Sequence, residues 1–281
     1  MPLDFDAVRA KVERTNAIPT IPIVIKKILR AVENPATSPA AVSKLVSSDP
    51  ALTAKMLKVI NAAMYGFVAR ISSVNQAVVL LGMNVVRALL LGISMFEMME
   101  QAATGLWKHS LGCAIIAKLL AQKKGIQDAE EFSVAGLLHD IGKVVLSVQY
   151  PKDYQGAVAT ARERGIFLSE AETEVFTMNH AMAGAYFAKT WRLPKFIVES
   201  IRCHHQPYLT GSFPLHAATV HMADVLVKAY DVGFSGDPFV PPVHSSVWEL
   251  FDFNEEQMKE LFSEIGDMIF QVDDFFKKPK R

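Results

Sequence analysis

The sequence predicts an all-α protein. Helix-start signatures recur (Ser38-Pro39, Asp49-Pro50, Ser73), apolar residues fall three and four apart, and alternating apolar/polar runs are scarce. Residues 22–32 read as a helix with proline in its first turn. Ser38-Pro39 opens a short helix to Val46, and Asp49-Pro50 opens another with Leu52, Met56, Leu57 and Ile60 on one face, closing near Gly66. Ser73 caps a helix whose Val78, Val79, Leu80 and Leu81 run into Gly82, after which helical spacing resumes over residues 85–98. Further helices read as 106–122, 130–148, 151–164 (a mixed polar cover), 173–191, 194–205 and 214–230. Residues 233–243 read as a loop rich in proline and glycine, followed by an amphipathic helix over 255–270. Three regions follow: an N-terminal helical part (1–100), a core carrying the polar histidines (101–232), and a loop, last helix and basic tail (233–281).

Composition sets the frame. With 281 residues, 51% hydrophobic and 21% charged, the chain can bury a substantial core. Its 29 basic and 29 acidic residues cancel, so long-range charge gives no pull toward nucleic acid or an anionic membrane. The solvated tail at residues 277–281 does not alter that balance. Cys113 and Cys203 are too few for a disulfide framework or a thiolate zinc site and suit a reducing interior. The first residues carry no apolar signal core, and the most apolar stretch is interrupted by Gly82, Asn84 and Arg87, so a soluble, cytoplasmic protein is expected. A helix-turn-helix around Gly82 is disfavoured, because Val85, Val86, Leu89, Leu90 and Leu91 read as core. Met95, Met98 and Met99 read as gap-filling, with a partner-facing patch as the alternative. Phe262, Phe270, Phe275 and Phe276 leave domain docking or a homodimer open.

Chemistry concentrates in the second half. His139 and Asp140 stand side by side within Gly136-Leu137-Leu138-His139-Asp140-Ile141-Gly142-Lys143, and His109, His180, His204, His205 and Asp224 lie on flanking helices. A divalent ion rationalises the set: neutral imidazole suits Fe, Mn, Ni or Zn, and a carboxylate offsets the charge and can bridge two ions. Asp140 is the candidate bridge. Each histidine alone reads more readily as a hydrogen-bonded core residue, and Lys143 equally as a solvated residue beyond a helix bend; jointly the set favours metal.

The order of several fragments carries a family resemblance. They are Ile18-Pro19-Thr20-Ile21-Pro22, Ser48-Asp49-Pro50-Ala51-Leu52, Asn61-Ala62-Ala63-Met64-Tyr65-Gly66 and Ile71-Ser72-Ser73-Val74-Asn75-Gln76-Ala77. Leu106-Trp107-Lys108-His109-Ser110, the His139-Asp140 run, Trp191-Arg192-Leu193-Pro194 and His204-His205-Gln206-Pro207 complete the series. Over residues 15–230 the chain resembles an HDOD domain, a branch of the HD-domain metal-dependent phosphohydrolase superfamily. That resemblance implies an HD-type helical bundle and a binuclear site. His109, His139, Asp140 and Asp224 match the primary metal ligands, and His180, His204 and His205 match the second-metal ligands of HD-GYP phosphodiesterases. Lys143 matches a lysine that approaches substrate phosphate, while Gly105 occupies the place of a third-metal carboxylate. After His205 the chain reads Gln206-Pro207-Tyr208-Leu209 and lacks the extended HD-GYP signature, so cyclic-dinucleotide hydrolysis is not supported. Two functions follow from the likeness. One is a signalling output module with a protein partner. The other is a hydrolase in which Asp140 and Lys143 serve metal-assisted attack on a phosphoester ligand.

Overall fold

A computed structural model of the chain describes residues 2–14, 23–33, 37–61 and 71–276, and every regular element among them is helical. The first half runs through α1 (Phe5–Glu13), α2 (Ile23–Glu33), α3 (Pro39–Ser47) and α4 (Pro50–Ile60) to the long α5 (Val74–Ser94). The expected caps set the starts. Ser38 Oγ accepts the Ala41 amide at 3.2 Å, Asp49 Oδ1 that of Leu52 at 3.0 Å, and Ser73 Oγ that of Gln76 at 3.2 Å. α2, α3 and α4 pack on α5, whose buried Val85, Val86, Leu89, Leu90 and Leu91 continue the core. Gly82, at φ +76°, breaks the helical path inside α5, and that positive φ is where only glycine is unstrained. Arg87 is buried too and donates to the Trp191 carbonyl, so the face a helix-turn-helix would offer to DNA is interior. α5 has the length and hydropathy of a membrane span, yet most of it is buried in the protein. Pro22, residues 18–21, residues 62–66 and the tail at 277–281 lie outside the described residues, as do the side chains of Phe270, Phe275 and Phe276.

Met95 ends α5, and with Met98 and Met99 it fills the interior beside α6 (Phe96–Ala102). Then come α7 (Leu106–Lys123), α8 (Ala129–Leu138), α9 (Ile141–Gln149), α10 (Pro151–Arg164), α11 (Leu168–Phe176), α12 (His180–Thr190), α13 (Lys195–Cys203), α14 (Pro214–Ala229), α15 (Ser245–Phe251) and α16 (Glu255–Phe276). α7 lies between α8 and α14, α9 packs on α12, and α13 bridges α12 to α8 and α14. α10 is the polar cover, held to the core by Tyr154, Ala157 and Ala161. α1, which the sequence reading did not single out, caps itself with Asp4 and packs on α9 and α12.

Two glycines set the helix spacing around the centre. A Cβ on Gly136 would stand 2.7 Å from the Cys113 carbonyl oxygen, so α8 can approach α7 only without one. Gly142 meets the His180 carbonyl in the same way, bringing α9 against the start of α12.

Two continuous helices of the sequence reading are broken. The span 130–148 is α8 and α9, with His139 and Asp140 in the gap. Adjacent residues of one helix point about 100° apart. The break, with Asp140 at φ −94° and ψ 10°, turns both side chains into one centre. The span 173–191 likewise stops at Phe176, because Thr177 adopts φ +58°, and restarts at His180 under an Asn179 cap that accepts the Met182 amide at 3.1 Å. α15 was not anticipated, whereas the loop at residues 233–243 is non-helical as expected.

Candidate metal centre

Five segments bring the seven singled-out side chains together. His109 comes from the first turn of α7, His139 and Asp140 from the α8–α9 gap, His180 from the start of α12, His204 and His205 from the end of α13, and Asp224 from α14. All are buried except His205, which is half-buried.

Local bonds aim the rings. His139 Nδ1 faces the Gly136 carbonyl at 2.7 Å, and His204 Nδ1 faces the Ile201 carbonyl at 2.7 Å, three residues back in each case. With Nδ1 engaged, Nε2 of each ring is left for the interior. His180 is oriented by Glu172, whose Oε2 accepts the His180 amide at 2.8 Å and lies 2.6 Å from its Nδ1.

The Asp140 carboxylate divides the centre in two. Its Oδ2 lies 3.3 Å from His139 Nε2 and 3.7 Å from His109 Nε2, while Oδ1 lies 3.3 Å from His180 Nε2 and 3.8 Å from His204 Nε2. On the first side His109 Nε2 is also 3.1 Å from Asp224 Oδ1 and 3.4 Å from His139 Nε2. On the second, His205 Nε2 is 2.8 Å from His180 Nε2.

Electrostatics follow from burial and from two lysines. Burial pushes His109 down to about 4 and holds His180, His204 and His205 well below the ordinary imidazole range. For His139 burial works the same way, but Asp140 and Asp224 outweigh it and lift the ring to about 9. On Asp140 and Asp224 burial acts the other way and would raise them. His139 and Lys143 overcome that for Asp140, as Lys228 and His109 do for Asp224, and both stay well below the usual carboxylate range. Lys143 is not solvated: its ammonium is buried, 2.7 Å from Asp140 Oδ2 and 2.9 Å from the Ser235 carbonyl.

The donor set fits divalent cations. Among the described residues, buried Asp140 Oδ1, Asp224 Oδ1 and His204 Nε2 meet no hydrogen-bond partner in proper geometry, and each unmet polar atom costs about 1–3 kcal/mol. All three face the interior of the cluster, where imidazole nitrogens and carboxylate oxygens could hold a metal.

Sequence reasoning missed four groups here. Cys113, whose Sγ is 3.6 Å from His109 Nε2, and Lys228, 2.8 Å from Asp224 Oδ2, each sit four residues along a helix from a singled-out residue. That spacing was a usable signal. Glu172 and Ser235 gave none, because each is brought in by a turn or a loop. Gly105 opens α7 at φ +91°, and the Glu100 carboxylate accepts the Gly105 and Trp107 amides at 3.2 Å each.

A model of the HDOD domain family matches residues 18–207. The chain belongs to the HDOD family. An uncharacterized protein of Treponema pallidum (strain Nichols) is 28% identical over 251 residues, covering 87% of this chain and 48% of the relative. This HDOD chain therefore spans about half the length of the curated relative it matches. An HDOD domain protein of unknown function from Geobacter sulfurreducens has a similar solved structure, with TM-score 0.73 and 27% identity, covering 98% of this chain and 100% of that one. A Shewanella amazonensis SB2B protein described as a candidate phosphohydrolase shares the fold, with TM-score 0.69 and 23% identity over 96% of each chain.

Proposed function

We propose that this HDOD chain is a cytoplasmic regulatory output module whose C-terminal helices are clamped by two divalent cations, of Fe, Mn, Ni or Zn, and whose N-terminal helices face a signalling protein. His109, His139, Asp140 and Asp224 would hold one ion. Asp140, His180, His204 and His205 would hold the other. Enclosure carries the reading: six of the seven side chains are buried, and the Lys143 ammonium is already engaged by Asp140 and Ser235. A clamp needs burial and saturation, whereas catalysis needs an open position. Stripping the metal is expected to lower the unfolding midpoint strongly, since a ligand at a thousand times its Kd stabilises by about 4 kcal/mol.

A cleft of about 840 Å³ that reaches His205 favours a second reading, phosphoester hydrolysis. A bound metal pair would supply Lewis acidity to water and phosphate. Asp140 would set the spacing, and Lys143 would offset phosphate charge. Turnover of bis(p-nitrophenyl) phosphate by the Mn-loaded protein above about 1 s⁻¹, abolished in Asp140→Ala, would establish this reading over the clamp. Strong stabilisation without turnover is the expected result.

A further inference from the structure

The segment after α14 crosses the centre as a strap. Gly233, at φ +69°, lies directly on the backbone of Gly105 and His109, and the Phe234 amide donates to the Gly105 carbonyl at 3.2 Å. Ser235 is buried and its carbonyl accepts from Lys143 Nζ. Asp237 then anchors the far end: its Oδ2 accepts the Leu168 amide at 3.1 Å, and its Oδ1 the Phe239 amide at 3.2 Å. Under the strap a cavity of about 200 Å³ reaches His109 and Lys228. Beside it runs the cleft that reaches His205, and Asp237 borders both spaces.

We propose that residues 233–240 are a gate on the metal centre, opening as one unit to admit ions and anionic ligands and closing to seal them in. The proposal rests on the metal-site reading above and adds its regulation. The fastenings are a few polar bonds and one edge-on ring contact, Phe239 on Phe167 with centres 5.7 Å apart, while Phe234 and Val240 are 45% and 51% exposed, so peeling the strap away uncovers little apolar surface beyond Phe167. Opening breaks the Lys143–Ser235 bond and leaves an ammonium beside Asp140 with a donor free for an anionic oxygen. It also releases Leu168 at the head of α11, and Glu172, one turn further along that helix, is the residue that orients His180. One motion thus reaches both halves of the centre.

The test uses the full chain loaded with Mn, Asp237→Ala, and the milder Asp237→Asn, which keeps one acceptor oxygen. Losing two hydrogen bonds is expected to speed Mn release to EDTA by about 10- to 30-fold in Asp237→Ala, with Asp237→Asn between and the Mn content of all three unchanged. Amide exchange of Leu168 and Phe234 should accelerate in parallel, while α7 and α14 amides stay as protected as before, which also shows that the variant is folded. Equal release rates at full Mn content would overturn the gate. Exchange of Leu168 and Phe234 only through global unfolding would overturn it as well. Failure of the parent protein to take up Mn would instead overturn the metal reading, and the gate with it.

Discussion

Gly142 and His180 meet backbone to backbone: a Cβ on Gly142 would overlap the His180 carbonyl oxygen and crowd the Gly184 amide. The contact fixes α9 against α12, and so fixes Asp140, two residues before Gly142, beside the His180 ring. Gly142→Ala is therefore expected to cost about 3 kcal/mol by overpacking. Gly156→Ala on α10, where a Cβ meets none of the described residues within 4 Å, should stabilise by about 0.5–1 kcal/mol. Denaturant unfolding of the pair checks this, and equal midpoints would refute the close-contact argument.

Glu172 reaches the centre through His180, on the side of Asp140 Oδ1. Removing such an orienting carboxylate typically lowers metal affinity by about 10- to 100-fold. Glu172→Ala is expected to lose one of two ions at limiting metal, with Glu172→Gln retaining part of the affinity. Calorimetric titration showing both ions bound as tightly as in the parent would contradict this.

Asn61 closes α4 and locks onto the start of the next segment. Its side chain donates to the Ile71 carbonyl at 2.6 Å and the Leu57 carbonyl at 2.9 Å, and accepts the Ile71 amide at 2.7 Å. Asn61→Ala should cost about 2 kcal/mol, since backbone groups at Ile71 lose their partner. Asn61→Asp keeps the acceptor for the Ile71 amide but turns a carboxylate oxygen toward the Leu57 and Ile71 carbonyls, and should cost at least as much when unfolding is followed by circular dichroism.

His216 gives the fold an acid sensitivity independent of metal. The ring stacks on Phe132 with centres 4.0 Å apart, and burial lowers its pKa from the ordinary 6.5 to about 4. The folded state binds the proton less tightly than the unfolded one, so stability present above pH 6.5 is lost as pH falls through about 4. After discounting for partial exposure, the loss is about 1–2 kcal/mol. His216→Phe should flatten that part of the stability–pH curve, and an unchanged curve would argue against it.

Much of the centre was legible because it is written in residue types that are costly to bury alone. His139-Asp140 in an apolar run, and His204-His205 after a helix, require a partner of some kind. The caps at Ser38, Asp49 and Ser73 were legible because they are local chemistry. The break at His139-Asp140 was not, since the apolar run continues across it and the packing of Gly142 on His180, 38 residues further along the chain, sets the turn. The solvated alternative for Lys143 stayed open in the sequence because its partners are one helical turn away at Asp140 and across the strap at Ser235. Long-range closure of this kind leaves no periodic mark on a single sequence.

On the proposed reading Asp140 would stand between two cations, with His109, His139 and Asp224 on one side and His180, His204 and His205 on the other. The most direct measurement is metal content per folded chain after reconstitution and desalting, for the parent and for Asp140→Ala. Two ions per parent chain, and a loss of both in the variant while circular dichroism stays helical, is the expected result. No retained metal in the parent, or two ions retained in Asp140→Ala, would contradict it.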